Sequence, residues 1–283
     1  MRCSPILSTQ SRVNIFAAPF KRGKKSQAVT LMPELPELEI VTEVLQRRVV
    51  GRSIEAIKID PKGGPIIIRD LTQRGFEQTL IGGSIKEVKR RGKFLLFSID
   101  PLVQLVINPK LTGRLQLAAP SQKRLPKTHI VFSLSGGDEL RYVDQKTMGQ
   151  VYLTDHLHQV TDYPGLGPEP FDITIDEFRE RLKSYRGEIK GVLVRGEFIA
   201  GIGNAYADEI LWAAKLHPYR KRTQLSAEEI DRLYQAIQST LHEAINKVRI
   251  EMADNIHLKP REFMEVHMKT NEPCPRCGTS ISL

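Results

Sequence analysis

Apolar positions recur along this chain with a period that changes twice. From Pro33 onward, Leu38, Val41, Leu45 and Val49 return at near-helical spacing. Pro36 falls in the first turn, where a helix tolerates proline. Glu34, Glu37 and Glu39 crowd the same end, favourably for the helix dipole, and Gly51 supplies a stop. One amphipathic helix is predicted over about 36–49. Across 52–155 the period shortens towards two: Val, Ile, Phe and Leu alternate with polar residues, and Gly-Gly or Asp-Pro pairs punctuate them. Strands are predicted at 54–60, 85–90, 93–99, 103–107, 128–134, 139–143 and 149–153. Many short strands after a single helix point to a β-sandwich. The run from Asp162 to Pro170, rich in Pro and Gly, reads as a linker. Helical spacing then resumes over 174–184, 188–195, 204–214 and 226–249, the last opened by a Ser226–Glu229 capping box. The fold class is therefore α+β: a sandwich followed by an all-helical domain.

Residues 1–31 have no clear apolar period. They carry six basic residues, no acid, and several Ser and Thr. Such a segment suits an organellar transit peptide, or sequence upstream of a true start at Met32; the second reading is preferred. It decides how the charge is read. The whole chain has a net charge of +9, but without those six residues 36 basic residues face 33 acidic ones, a net of only +3. A polyanion-binding face must then come from local clusters. Two stand out, Lys86, Lys89, Arg90, Arg91 and Lys93, and then Lys215, Arg220, Lys221 and Arg222; each also suits a plain solvated surface. No run of 18 apolar residues would span a membrane, and three cysteines are too few for a secreted disulfide scaffold.

Four short constellations carry possible chemistry. In Met32-Pro33-Glu34-Leu35-Pro36-Glu37, removal of a methionine before proline would expose a secondary amine. Such an α-amine is largely unprotonated near neutral pH and can attack a sugar carbon to form an iminium. Glu34 beside it suits a general acid. On spacing alone, an ordinary helix start explains the same residues. Arg90-Arg91-Gly92-Lys93-Phe94 is a basic hairpin tip whose lysine is suited to a phosphate. Ala200-Gly201-Ile202-Gly203-Asn204-Ala205-Tyr206 is a glycine turn opening a helix, either an anion site or a tight interhelical turn. Pro273-Cys274-Pro275-Arg276-Cys277-Gly278 supplies two of the four ligands that a structural zinc needs; His257 and His267 fit no standard spacing for the rest.

In this order, the four resemble the formamidopyrimidine-DNA glycosylase and endonuclease VIII family, over about residues 32–283. The resemblance implies a catalytic β-sandwich domain over 32–160, a helix-two-turns-helix DNA-binding domain over 166–265, and a truncated zinc finger over 266–283. It implies Pro33 as nucleophile at C1′ of the damaged nucleotide, Glu34 as the acid that opens the sugar, and Lys93 with Asn204 as grips on the neighbouring phosphate. Glu37 matches an acid of the start motif, and Tyr206 joins Asn204 on the DNA-binding helix turn. Similar enzymes flip oxidised bases out of the stack, excise them, and cleave the strand by β/δ-elimination. The family's three void-filling residues would become Leu111, Lys146 and Met148: a cation and two apolar wedges survive, without arginine's planar fork. Cys274 and Cys277 are half a metal site, so bound zinc is in doubt. The implied partner is double-stranded DNA carrying damaged bases or abasic sites, bound by a monomer in the cytoplasm, or in an organelle if 1–31 is a transit peptide. The alternatives are a catalytically inactive damaged-DNA-binding relative, with Pro33 blocked by the residues before it, and an unrelated RNA-binding protein. The low aromatic content, 6%, counts against the latter.

Overall fold

A computed structural model describes residues 32–100 and 102–282, so the readings made of residues 1–31 lie outside the described residues. Helix α1 (Leu35–Val49) opens the described chain and buries the periodic face Leu38, Val41, Leu45 and Val49. Strands β1 (Ile54–Ile59), β7 (Thr128–Leu134), β8 (Glu139–Asp144) and β6 (Gly113–Ala118) form one four-stranded sheet in that order. Strands β2 (Ile68–Asp70), β9 (Gln150–Thr154), β5 (Val103–Asn108), β4 (Phe94–Asp100) and β3 (Ser84–Arg91) form a second, five-stranded sheet in that order. All neighbours are antiparallel except β2 and β9. Their inner faces share one apolar core that includes Val88, Phe97 and Leu105 from one sheet and Leu115, Phe132 and Leu140 from the other. This is the sandwich that the alternation predicts.

The seven predicted strands appear within a residue or so of their expected ends. Strands β6 and β2, and the short helices α2 (Gly64–Ile67) and α3 (Phe76–Leu80), were not anticipated. The reason for β6 is local. Its Gly-Arg-Leu-Gln-Leu-Ala run alternates well, but it follows straight on from the Pro109–Thr112 turn, and Gly113 is held there by its amide's bond to the Pro109 carbonyl, 2.8 Å.

Beyond the linker come α4 (Ile175–Lys183), α5 (Ile189–Leu193), α6 (Asn204–Ala213) and α7 (Ala227–Met252). Thr174 and Ser226 cap α4 and α7, each with a glutamate at the third position answering the cap backbone. The core runs without a break from the sandwich through α1 into α6 and α7. Ion pairs Arg249–Glu43, at 2.7 Å, and Arg47–Asp254, at 2.5 Å, flank the α1–α7 contact. The two halves are thus joined along α1, and that seam brings the start of α1 to the start of α6. Among the described residues, no helix is long and apolar enough to cross a membrane.

Candidate active site

Glycine decides how closely these two helix starts approach. Gly201 has φ +88°, and a Cβ there would lie 2.9 Å from the Leu35 side chain. A Cβ on Gly203 would lie 2.5 Å from the Glu34 carboxyl carbon and 2.7 Å from Lys93 Nζ. The Gly-Ile-Gly turn is therefore the shape required to admit Glu34 and Lys93 against the first turn of α6. Leu35 seals the junction by donating its amide to the Gly201 carbonyl, 3.0 Å.

Into that gap Glu34 projects a carboxylate that is 3% exposed. It accepts hydrogen bonds from the amides of Gly203 (2.6 Å), Ala205 (3.0 Å) and Tyr206 (3.4 Å). A negative group at three free amides and the positive end of the α6 dipole is well matched. Glu37 lies beneath it, 1% exposed. Its carboxylate accepts from the Glu34 amide (2.9 Å) and the Tyr206 hydroxyl (2.7 Å), and pairs with Arg261 at 3.0 Å. Burial pushes the Glu37 carboxyl up, against the opposing pull of Arg261. Tyr206, expected on the DNA-binding turn, is itself buried, 1% exposed, and its hydroxyl donates to Glu37, holding that carboxylate.

Lys93 stands in the tight β3–β4 turn and reaches the same gap, its Nζ lying 3.7 Å from Met32 Sδ. Burial lowers its pKa below the usual lysine value, in part offset by the Glu34 carboxylate. Pro33 lines one cleft together with Met32, Lys93 and Asn108. An adjoining cleft, with about 950 Å³ of empty space, is lined by Glu34, Lys93, Leu111, Asn204, Arg261 and His267, among others. Pro33, Glu34, Lys93, Asn204 and Leu111 are thus brought together. Lys146 and Met148 stand on the neighbouring 144–149 loop, both exposed. That loop is tied to the one carrying Leu111: the Lys146 amide donates to Thr112 Oγ1 (3.0 Å) and Asp144 Oδ1 (3.1 Å).

The basic cluster around β3 is not one surface. Arg90 is nearly buried and pairs with Glu39 and Glu169, while Arg91 reaches Glu169 at 2.8 Å and the Gly92 amide donates to the same carboxylate at 2.6 Å. These arginines hold the linker to the sandwich, and of the basic residues of that motif Lys93 lines the cleft. In the second cluster Arg220 pairs with Glu229 on α7.

At the tail, Cys274 is partly buried and Cys277 exposed, both free. Backbone amides of Arg276 and Cys277 pull the Cys274 thiol down to about 7, and the Trp212 side chain contributes. His267, a candidate to complete a metal site, is bound through Nδ1 to Asp208 at 2.9 Å. Among the described residues, no cluster of three or more His, Cys, Asp or Glu is arranged to hold a metal ion.

Sequence reasoning missed Arg261. It stands in an irregular segment after α7, in no motif, 229 positions from the Met32 carbonyl to which its Nη2 donates at 2.9 Å. Its guanidinium lies 4.9 Å from the Tyr206 ring centre and is 8% exposed. Burial alone would lower its pKa; Glu37, Tyr206 and Glu34 more than reverse that. The one available signal was an arginine placed beyond the last periodic residue of a long helix.

Residues 32–151 match the formamidopyrimidine-DNA glycosylase N-terminal domain, and residues 166–254 match the H2TH domain of the same enzymes. The chain is 35% identical to the formamidopyrimidine-DNA glycosylase of Herpetosiphon aurantiacus over 257 residues, covering 88% of this chain and 93% of that protein. It is 36% identical to the enzyme of the same name from Moorella thermoacetica over 260 residues, with the same coverage. Its structure is similar to that of Lactococcus lactis Fpg in complex with DNA containing an abasic site, with a TM-score of 0.76 and 31% identity over 88% of this chain and 93% of that one. The Lactococcus protein bound to DNA containing FAPY-dG is equally similar, with a TM-score of 0.77 and 31% identity.

Proposed function

The chain belongs to the formamidopyrimidine-DNA glycosylase family, and from that premise we propose that it is a base-excision DNA glycosylase that also cleaves abasic sites through a Schiff base on Pro33. The observation that carries this reading is the convergence of Pro33, Glu34 and Lys93 at the first turn of α6. The chemistry needs Pro33 as a free secondary amine, so it requires a chain that begins at Pro33. The amine's lone pair forms a bond to C1′ of the damaged nucleotide as the base leaves with the electron pair of its glycosidic bond. Glu34, fixed by three amides, delivers a proton as the sugar ring opens. Opening of the ring leaves an iminium directly (on a preformed abasic site the same iminium forms from the sugar aldehyde with loss of water), and its acidified C2′ proton permits β-elimination of the 3′ phosphate. Lys93 and Asn204, flanking one cleft, grip the backbone phosphate. Leu111 and Met148 fill the space left by the flipped nucleotide, with Lys146 beside them. The substrate is double-stranded DNA bearing damaged bases or abasic sites, bound by a single copy of the chain.

Met32 gives weight to a second reading. Its side chain approaches Lys93 and its carbonyl is held by Arg261, so the chain with Met32 attached has Pro33 as an amide and the cleft partly filled. That form is a non-catalytic DNA binder. Borohydride trapping on abasic-site DNA separates the two, because only an imine is reduced to a stable link. Protein beginning at Pro33 is trapped and the 283-residue form is not. Equal trapping of both would assign the chemistry to another amine.

A further inference from the structure

The peptide bond in front of Pro33 places atoms where, on the reading just given, a substrate would be. The Met32 carbonyl carbon is bonded to the Pro33 nitrogen, as C1′ of an abasic sugar would be after attack. The Met32 carbonyl oxygen is then the stand-in for the oxygen carried on C1′. Carbonyl oxygen and amide nitrogen of one peptide unit are about 2.3 Å apart, close to the spacing of nitrogen and oxygen across a carbinolamine carbon. The group bound to that oxygen is Arg261, whose Nη2 donates to it at 2.9 Å.

Arg261 is well fixed for this task. Glu37 holds the same Nη2 at 3.0 Å, the Tyr206 ring supports the guanidinium plane, and Nη1 lies 3.9 Å from Glu34 Oε1. Its buried Nε has no hydrogen-bond partner among the described residues. The Met32 side chain branches from the next atom along, Cα, and runs towards Lys93, which also lines the Arg261 cleft, so the part of a substrate beyond C1′ would follow the same course.

We infer that Arg261 is a catalytic residue, donating to the C1′ oxygen as Pro33 adds to the sugar aldehyde. As the nitrogen lone pair forms the N–C1′ bond, the C=O π pair moves onto oxygen, where Arg261 meets the developing charge. A proton passes to that oxygen as the nitrogen loses its own, giving a neutral carbinolamine. A second proton, from Glu34, lets the oxygen leave as water and leaves the iminium. One amine, one aldehyde and one proton become one iminium and one water. A preorganised donor at such an oxygen is worth about 10²–10³-fold in rate.

The test uses protein beginning at Pro33, at saturating concentration on abasic-site DNA, with single-turnover borohydride trapping. Arg261→Gln slows trapping by about 10²-fold, and Arg261→Lys recovers part of the loss. Binding to DNA with a tetrahydrofuran in place of the abasic sugar changes little, because that ring has no oxygen substituent on carbon 1. Trapping by Arg261→Gln within about threefold of the unsubstituted rate overturns the assignment. So does weakened tetrahydrofuran-site binding with a full rate at saturation, which would make Arg261 a phosphate contact. If loss of the cation leaves buried Glu37 unpaired and the fold fails, Glu37→Gln/Arg261→Gln removes that charge as well and must still be slow. Absence of trapping in the unsubstituted Pro33-first protein would instead count against the nucleophile itself.

Discussion

At the head of the described chain, Glu34 and Glu37 meet α6 amides, a tyrosine hydroxyl of the same helix and an arginine beyond α7, partners drawn from two distant segments. At its tail, Cys274 and Cys277 meet a short turn, the Trp212 ring and Arg276, which stacks on that ring at 4.4 Å. Both ends carry a short motif with a clear chemical meaning. At the head, the fold supplies each buried charge with its complement, at the cost of two glycines with no room for a side chain. At the tail, no cluster of three or more His, Cys, Asp or Glu surrounds the two thiols among the described residues. A motif becomes a site when distant parts of the chain are built to receive it, and the reception is what can be tested.

The largest expected effect breaks the head. Glu34→Gln keeps the size of the side chain but replaces one carboxylate oxygen with an amide nitrogen, which faces an N–H of α6. It also removes the proton donor. Base excision falls by about 10²–10⁴-fold, and trapping on a preformed abasic site falls less. The melting temperature drops by a few degrees, because a buried amide left unpaired costs about 1–3 kcal/mol. Excision at the unsubstituted rate would remove Glu34 from the chemistry and leave it as a helix cap alone.

Much of this head was legible in the sequence. The Met-Pro-Glu start, the glycine turn and Lys93 were all identified, and the helices and seven strands lie within a few residues of their predicted ends. Those readings rest on local signals, period and turn chemistry. What stayed hidden is what tertiary contact creates. Arg261 belongs to no pattern, and only the folded chain shows it at Met32 and Glu37. Tyr206 was noticed for its place in a motif, but its burial and its bond to Glu37 follow from the closeness of α1 to α6. Likewise, Arg90 and Lys93 are near neighbours in one basic run. Charge count treats them alike, although Glu39 and Glu169 take Arg90 out of the cleft and leave Lys93 in it.

That last contrast gives a smaller, sharper effect. Lys93→Ala weakens binding to lesion DNA several-fold and lowers the salt slope of log K by about one unit, the signature of one lost phosphate contact. Asn204→Ala weakens binding with an unchanged slope, because it carries no charge. An unaltered slope for Lys93→Ala would place its amine off the backbone, with its role confined to the Glu34 carboxylate.

The smallest effect is expected at the tail. The buried apolar core ends at Met264, and Pro273 to Ser280 are held by a few backbone bonds, including Cys274 N to Thr279 O at 2.8 Å. Two thiolates leave a bound zinc open to water and to competing ligands, whereas a structural site encloses it with four. The chain as purified therefore holds less than one zinc per molecule. A chelator shifts its melting temperature by less than about 2 °C, since neither the sandwich nor the helical core rests on the tail. Cys274→Ser/Cys277→Ser melts where the unsubstituted chain does. One tightly held zinc per chain by elemental analysis, with a clear fall in melting temperature on chelation, would reverse the comparison. It would require the tail to be received as the head is, with His267 giving up Asp208 as the first place to look.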